Sequence, residues 1–239
     1  MTKNTTKIGI FGLGYVGLPL AVEFSKKHNV VGFDVNEERV KDLIQGNDKT
    51  LEIKRRNIQN KKLHFTSKLF DLKDCNYYIL TVPTPIYKNK KPDLTLIKNA
   101  TKMVASILAK GDIIIYESTV YPGLTEEVCG PLIEKESKLK LNQDFFLGYS
   151  PERINPGDKE HRLTKIQKVT SGSDGETKLW VDELYGSIIE AGTFSVSNVK
   201  TAEAAKIIEN TQRDLNIALI NELSMIFNKM GIDTNDVID

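Results

Sequence analysis

A glycine-rich turn near the start of the chain constrains the fold more than any other feature. Residues 12–17, Gly-Leu-Gly-Tyr-Val-Gly, match the pattern G-x-G-x-x-G. An apolar run that predicts a strand (7–12) leads into the turn, and a run that predicts a helix (14–27) follows it. In such a unit the glycines let the backbone approach a pyrophosphate, and the free N–H groups of the helix N-terminus stabilise its charge. The turn therefore predicts a dinucleotide-binding α/β domain.

The rest of the sequence alternates short apolar runs with amphipathic segments. The further predicted strands are 30–34, 77–82, 112–117, 145–149, 168–171 and 193–196, and the further predicted helices are 36–45, 94–109, 124–138, 174–189 and 199–230. Apolar strands that alternate with helices are typical of a buried, mostly parallel sheet covered on both faces. We predict a Rossmann-type doubly wound sheet in a domain at 1–197, and a long central helix that opens a second domain at 198–239.

Composition excludes several classes of protein. The 239 residues carry 33 Lys and Arg against 32 Asp and Glu, so a net charge of +1 gives no reason to expect nucleic acid or an anionic membrane as a partner. No apolar stretch approaches the roughly 18 residues of a membrane span. The two cysteines, Cys75 and Cys129, are too few and too far apart for a disulfide framework or a zinc ribbon. We expect a cytoplasmic protein without a metal.

A carboxylate follows the second predicted strand. Asp34 lies roughly 20 residues after Gly12, where the dinucleotide fingerprint places the group that accepts hydrogen bonds from the ribose hydroxyls. Its charge would repel a 2′-phosphate, which favours NAD over NADP. Arg39 lies nearby and weakens that preference slightly.

Polar segments follow three of the predicted strands directly, at 81–85, 117–120 and 149–153. Ligands of a doubly wound sheet bind outside the carboxyl ends of its strands, so we expect these segments to converge on one cleft. Capping of the following helix is the alternative for Ser118 and Thr119. The predicted cofactor contacts are Gly12, Gly14, Tyr15, Val16, Gly17, Asp34, Arg39, Val82, Pro83, Thr84, Ser118, Thr119 and Glu152.

Charged and amide side chains form a candidate catalytic group. Glu152, at a strand end, can orient water or act as a general base, and the alternative is a surface ion pair with Arg153. On the long helix, Glu203, Lys206 and Asn210 share one face. Lysine and asparagine both donate hydrogen bonds to developing negative charge, which favours an oxyanion site. A solvated helix face with an ion pair is the alternative there.

Together these motifs resemble the UDP-glucose/GDP-mannose dehydrogenase family over essentially the whole chain. The matching segments, in order, are GLGYVGLP at 12–19, TVPTP at 81–85, ESTV at 117–120, SPER at 150–153, EAAK at 203–206 and ENT at 209–211. Residues 149–162, YSPERINPGDKEHR, are more similar to enzymes of UDP-N-acetylhexosamines than to UDP-glucose dehydrogenases. In the latter, an aromatic residue usually follows the equivalent glutamate.

The resemblance implies a two-step, NAD-dependent oxidation of a UDP-sugar. The substrate would be UDP-GlcNAc or UDP-GalNAc, whose C6 alcohol becomes the carboxylate of a uronic acid for capsule or O-antigen polysaccharide. Glu152 would be the general base, and Thr119 would position the nicotinamide or a water. Lys206 and Asn210 would bind the substrate and stabilise the oxyanion, and Arg153 would discriminate among substrates. The long helix would mediate a homodimer.

The same resemblance implies a cysteine nucleophile and a UDP-binding domain, both expected beyond residue 239. We predict Cys75 at the amino end of the sheet and Cys129 within a helix. We therefore expect the chain to bind NAD(H) without completing the oxidation. The alternatives are a UDP-glucose 6-dehydrogenase, a non-catalytic NAD-binding module, and another two-domain dehydrogenase of the 6-phosphogluconate or 3-hydroxyacyl-CoA type.

Overall fold

A computed structural model describes residues 6–153 and 163–238 of the chain. The strands are β1 (Lys7–Phe11), β2 (Asn29–Phe33), β3 (Leu63–Thr66), β4 (Tyr77–Leu80), β5 (Asp112–Tyr116), β6 (Phe145–Tyr149), β7 (Lys168–Gly172) and β8 (Thr193–Ser195). The α-helices are α1 (Gly17–Ser25), α2 (Glu37–Ile44), α3 (Arg55–Ile58), α4 (Thr95–Ile107), α5 (Gly130–Ser137), α6 (Gly175–Gly186), α7 (Val199–Met230) and α8 (Thr234–Ile238). A π-helical turn covers Leu124–Cys129, and 3₁₀ turns cover Leu69–Leu72 and Leu163–Lys165.

The strands form one sheet in the order β3-β2-β1-β4-β5-β6-β7-β8. Neighbouring strands are parallel from β3 to β6, β7 is antiparallel to β6, and β8 is parallel to β7. The chain order reverses between β1 and β4, which is the switch point where a doubly wound sheet binds its ligand. The prediction of a Rossmann-type, mostly parallel sheet is confirmed.

Helices cover both faces of the sheet, as the uninterrupted apolar strands predict. All five residues of β5 are buried. Ile114 and Tyr116 belong to one hydrophobic cluster, which includes residues of α4 and α5. Ile113 and Ile115 belong to a second cluster, which includes residues of α1 and α6. Successive side chains of a strand point to opposite faces, so β5 contributes to both halves of the core.

The structure moves some predicted boundaries and adds one strand. The first helix begins at Gly17 because residues 12–16 form the turn, with Gly12 at φ +91°. The helix predicted at 124–138 divides into the π-helical turn and α5. The edge strand β3 is absent from the prediction, and it lies at the end of the sheet, where pairing with β2 holds it.

The long helix α7 has the predicted bounds, Val199–Met230, and is capped by Gly231, whose φ of +72° lies in the left-handed region. Many large apolar side chains of α7 after residue 207 are exposed. Within the two described stretches of the chain, no helix combines the length and the apolar content needed to cross a membrane.

Candidate functional site

The glycine-rich turn is shaped by close backbone contacts. A Cβ atom on Gly17 would lie 1.8 Å from the carbonyl oxygen of Gly12 and 2.4 Å from Oγ1 of Thr81. The Thr81 hydroxyl lies 2.8 Å from the same carbonyl oxygen, to which it donates, and this contact fixes the turn to the end of β4. Val16, the N-cap of α1, makes no side-chain capping bond. The N–H of Leu18 donates to the backbone oxygen of Gly14 at 3.1 Å and Pro19 has no N–H, so Gly17 is the residue in the first turn of α1 that can offer a backbone donor to a ligand.

Asp34 is held at the end of β2 by two backbone groups. Its carboxylate oxygens accept hydrogen bonds from the N–H groups of Leu13, at 2.8 Å, and Asn36, at 2.9 Å. Each oxygen keeps a lone pair for a further donor such as a ribose hydroxyl. The carboxylate is thus oriented before any ligand binds.

Arg39 supports the glycine-rich turn through a hydrogen bond to its backbone. Its Nε donates to the carbonyl oxygen of Leu13 at 2.9 Å, and its Nη2 pairs with Asp48 at 2.8 Å. The side chains of Arg39 and Asp48 are only 11% and 1% exposed. Nε and Nη2 are therefore engaged by the protein itself and support the turn, whereas Nη1 is buried without a hydrogen-bond partner among the described residues.

A cleft of about 330 Å³ opens at the carboxyl ends of β1, β2 and β4. Four of the predicted cofactor residues line it together: Gly12, Asp34, Val82 and Pro83. The remaining lining residues are not among the predicted ones: Phe11, Phe33, Val35, Leu96, Asn99, Ala100 and Met103. Those from α4 recur at helical spacing, which is the signal that could have identified them. The mostly apolar walls beside one carboxylate fit the base and ribose of a dinucleotide.

Ser118 and Thr119 follow β5 without capping a helix. The Ser118 hydroxyl donates to the carbonyl oxygen of Val82 at 2.5 Å, and the next helical segment has Gly123 as its N-cap. Thr119 is exposed at the carboxyl edge of the sheet. The capping alternative for Ser118 and Thr119 is therefore wrong. At the end of β4, Oγ1 of Thr84 is buried without a hydrogen-bond partner among the described residues.

Glu152 and Lys206 meet in a largely buried contact. Nζ of Lys206 donates to the backbone oxygen of Glu152 at 2.5 Å and lies 4.0 Å from its carboxylate. The side chain of Lys206 is 8% exposed and that of Glu152 is 12% exposed, so Lys206 does not lie on a solvated helix face. Burial raises the pKa of Glu152 to about 7, against the opposing effect of Lys206 and Lys168, and burial lowers the pKa of Lys206.

Arg153 forms its ion pair with Glu209 on α7 and not with Glu152. Its Nε donates to Glu209 at 2.9 Å and its Nη1 to the backbone oxygen of Gln167 at 3.2 Å. The predicted alternative, a surface ion pair between Glu152 and Arg153, is therefore wrong. Asn210 follows Glu209 on α7 and is half-buried, one turn after Lys206.

A buried charged cluster that was not predicted from the sequence lies beside the contact between Glu152 and Lys206. Nζ of Lys168 donates to Glu117 at 2.9 Å and to the backbone oxygen of Pro151 at 3.1 Å. The hydroxyl of Tyr185 donates to the other carboxylate oxygen of Glu117. Because β7 is antiparallel to β6, its first residue, Lys168, lies at the edge where the parallel strands end. No local pattern marks the cluster, because Lys168 begins a strand that contains Thr170 and Ser171, and Glu117 follows a strand that begins with Asp112.

Glu203 is a structural cap. Its carboxylate accepts hydrogen bonds from the N–H groups of Gly123, at 2.5 Å, and Thr125, at 2.9 Å, and the residue is fully buried. It thereby connects α7 to the π-helical turn that follows β5. Of the three residues predicted on one face of α7, Glu203 therefore contributes to the site only through the backbone it holds.

Both cysteines are buried. Cys75 lies two residues before β4, at the amino end of the sheet as predicted, and Cys129 ends the π-helical turn. Burial raises the pKa of both thiols, that of Cys75 to about 12. In the described part of the chain, no group of three or more His, Cys, Asp or Glu side chains is arranged to hold a metal ion.

Comparison with known proteins agrees with this arrangement. Residues 6–189 match the NAD binding domain of the UDP-glucose/GDP-mannose dehydrogenase family, and residues 200–239 match its central domain. The UDP-N-acetyl-D-glucosamine 6-dehydrogenase of Pseudomonas aeruginosa is 61% identical over 97% of this chain and 55% of its own length. The enzyme of the same name from Salmonella typhi is 57% identical over 98% of this chain and 56% of its own length.

A solved structure shows the same fold. The UDP-D-ManNAc dehydrogenase of Pyrococcus horikoshii superposes with a TM-score of 0.91 at 34% identity, over 98% of this chain and 56% of that one. The chain thus spans just over half the length of the relatives it matches. The glycine-rich turn, the oriented Asp34 and the apolar cleft fit NAD, the cofactor of the matched domain. The chain belongs to the UDP-glucose/GDP-mannose dehydrogenase family.

Proposed function

We propose that this chain supplies the cofactor site and most of the catalytic groups of a UDP-N-acetylhexosamine 6-dehydrogenase. The enzyme would oxidise the C6 alcohol of UDP-GlcNAc or UDP-GalNAc to the uronic acid for a surface polysaccharide such as capsule or O-antigen. The observation that carries the proposal is the buried contact between Glu152 and Lys206 at the carboxyl edge of a dinucleotide-binding sheet. The names of the most similar relatives support the choice of an N-acetylhexosamine over glucose.

In this proposal the cofactor lies across the carboxyl ends of β1, β4 and β5. Backbone groups of Gly12, Gly14, Tyr15, Val16 and Gly17 hold the pyrophosphate. Asp34 binds the ribose, the apolar cleft takes the base, and NAD⁺ supplies the hydride acceptor. Val82, Pro83, Thr84, Ser118 and Thr119 continue the site toward Glu152 along the ends of β4 and β5.

Glu152 acts as the base. With a pKa of about 7, its carboxyl group is partly ionised at neutral pH and strongly enough basic to take a proton from the C6 hydroxyl or from a water. Oε1 is buried and has no hydrogen-bond partner within the described chain, which leaves it as an acceptor for that proton. Thr119, exposed at the same edge, positions the nicotinamide or the water.

Lys206 and Asn210 bind the oxygen on which negative charge develops. An ammonium group has three N–H donors, and Lys206 gives one to the backbone oxygen of Glu152. The others are available to the substrate oxygen, and the amide of Asn210 lies one turn further along α7. Arg153, held by Glu209 at 2.9 Å, is the residue that we propose distinguishes among sugars.

Neither cysteine of the chain fits the nucleophile of the second oxidation. That step needs an accessible thiolate to capture the aldehyde. Cys75 and Cys129 are buried and their pKa values are raised, so both are thiols at neutral pH. We therefore propose that these 239 residues alone bind NAD(H) without completing the oxidation. This observation also favours the second candidate function, a non-catalytic NAD-binding module.

The two candidates differ in the protein made from the complete reading frame. The dehydrogenase proposal predicts NADH formation with UDP-GlcNAc or UDP-GalNAc in preference to UDP-glucose. Lys206→Ala should then lower kcat by roughly 10²–10³, as the loss of one oxyanion donor does. Lys229→Ala, an exposed lysine on the same helix, is the matched control and should leave kcat unchanged. The binding-module candidate predicts NADH binding with no sugar-dependent reduction in any variant.

We further propose that the protein is a cytoplasmic homodimer that forms through α7. Exposed apolar side chains recur along this helix at alternating spacings of seven and four, as in a helix–helix seam: Ile208, Leu215, Leu219, Ile226 and Met230. Leu219→Glu should therefore convert a dimer to a monomer in analytical ultracentrifugation. A wild-type monomer at all concentrations would contradict this part of the proposal.

A further inference from the structure

A buried ion pair lies beside the contact between Glu152 and Lys206, almost completely shielded from solvent. The side chains of Lys168 and Glu117 are 3% and 0% exposed, and Tyr185 is fully buried. Both carboxylate oxygens of Glu117 are engaged, one by Lys168 and one by Tyr185. The ammonium of Lys168 also lies 5.2 Å from the centre of the Tyr185 ring. Removing such charges from water is costly, so stability alone is a weak reason for the pair.

The pair is joined to the segment that carries Glu152. Lys168 donates to the backbone oxygen of Pro151 at 3.1 Å, and Lys206 donates to that of Glu152 at 2.5 Å. The hydroxyl of Ser150 donates to the backbone oxygen of Val169 at 2.7 Å. Three consecutive residues are thus held by neighbouring elements, two of them through lysine ammonium groups.

We propose that Lys168 and Glu117 are positioning residues: the pair fixes the backbone on which Glu152 stands and keeps the charge around its carboxyl group balanced. The effect of this ion pair on catalysis rests on the proposed function, whereas the effect of the pair on Glu152 itself does not. The pair acts through Glu152 and need not touch substrate or cofactor.

The balance follows from the charges that surround the Glu152 carboxyl. Lys206 and Glu209 face it from α7, Lys168 from β7 and Glu117 from the end of β5. Tyr149 on β6 is near enough to interact with it and is neutral below pH 10. Lys168 lowers the pKa of Glu152 and Glu117 raises it, so each partner offsets the other. Removing the charge of Glu117 should therefore lower the pKa of Glu152, and removing the charge of Lys168 should raise it.

The test is a pair of single substitutions read out at Glu152. Glu117→Gln keeps the shape and an acceptor for Lys168 but leaves its positive charge uncompensated, so the pKa of Glu152 should fall by roughly 0.5–1 unit. Lys168→Met removes the cation, so this pKa should rise by roughly the same amount when Glu117 stays ionised and by less when the unpaired Glu117 takes up a proton. The pKa is measured by ¹³C NMR titration of the glutamate-labelled chain, with the resonance of Glu152 assigned by its loss in Glu152→Gln.

The double variant Glu117→Gln/Lys168→Met keeps the test decisive if Lys168→Met does not fold. Without either charge, the pKa of Glu152 should return to within about 0.3 unit of the wild-type value. The proposal would be overturned if the pKa of Glu152 shifted with the same sign in both single variants or shifted in neither. It would also be overturned if this pKa in the double variant matched that in Glu117→Gln.

A kinetic readout separates this inference from the proposed function. In the protein from the complete reading frame, the acidic limb of the kcat profile should move with the pKa of Glu152 in each variant, while NADH affinity stays unchanged. NMR shifts of the expected signs in a protein with no dehydrogenase activity would support the positioning role and refute the proposed reaction. If the pKa of Glu152 shifts but the pH profile of kcat does not, only the proposed effect of the pair on catalysis is overturned.

Discussion

Alanine substitutions in the glycine-rich turn separate the two physical reasons for glycine at this place. At Gly17 the chain itself leaves no room, because a Cβ atom would lie 1.8 Å from the Gly12 carbonyl oxygen, inside the 3.0 Å that real Cβ atoms keep. At Gly14 nothing lies within 4 Å of a Cβ atom. If Gly14 is glycine because a pyrophosphate approaches its backbone, only the ligand meets the added methyl group.

The two substitutions should differ in their effect on stability. Overpacking of this kind costs up to about 3 kcal/mol, and a domain of this size loses roughly 2–4 °C of Tm per kcal/mol. Gly17→Ala should therefore lower Tm by roughly 6–12 °C and leave the chain folded, since domains are stable by about 5–15 kcal/mol. Gly14→Ala should leave Tm within about 2 °C of the wild-type value.

NADH fluorescence titration and thermal unfolding of the same samples provide the assay. Both variants should bind NADH at least roughly tenfold more weakly, a loss of about 1.4 kcal/mol. Gly186→Ala is the matched control, because a Cβ atom there also meets open space, and it should change neither property. Wild-type NADH affinity in Gly14→Ala would refute the placement of the pyrophosphate at this turn.

Three further predictions concern charged groups of the site. Asp34→Ala should weaken NADH binding by about 1–2 kcal/mol and reduce the preference for NADH over NADPH, measured by parallel titrations; an undiminished preference would exclude Asp34 as its source. Glu203→Ala leaves two buried N–H groups without an acceptor, so the free energy of unfolding in urea should fall by about 2–4 kcal/mol. Glu222→Ala, exposed on the same helix, is its control, and equal losses in both would contradict the capping role. Because burial raises the pKa of Glu152 from 4.5 to about 7, the stability that its neutral carboxyl contributes is present below pH 4.5 and is lost as the pH rises through 7. Relative to Glu152→Gln, the wild-type chain should therefore lose about 2–4 kcal/mol of unfolding free energy between those pH values, and parallel urea curves at all pH values would contradict the raised pKa.

Local patterns predicted most of the fold because they are the physical cause of it. The G-x-G-x-x-G turn, the apolar runs and the uninterrupted helix at Val199–Met230 are decided by nearby residues, and the structure has them close to their predicted places. The edge strand Leu63–Thr66 is held by pairing with β2, which a four-residue window does not reveal. The reversed direction of β7 is likewise a property of the whole sheet.

The charged part of the site was harder to predict, because its partners are distant in sequence. Lys168 and Glu117 are 51 residues apart, and Glu203 is 80 residues from Gly123. Nothing in their neighbourhoods distinguishes these buried groups from surface charges. Lys206 could be predicted from its helical spacing with Glu203 and Asn210 and from the resemblance to a family, but its burial against Glu152 is visible only in the structure.

The yield of NADH per sugar tests the central claim most directly. Oxidation of a C6 alcohol to a carboxylate removes two hydrides, so the protein from the complete reading frame should form two NADH for each UDP-GlcNAc or UDP-GalNAc consumed. The product should carry a new carboxylate by mass spectrometry, and Lys206→Ala should slow the reaction without abolishing NADH binding. A protein that binds NADH but reduces no NAD⁺ with either sugar nucleotide would contradict the account.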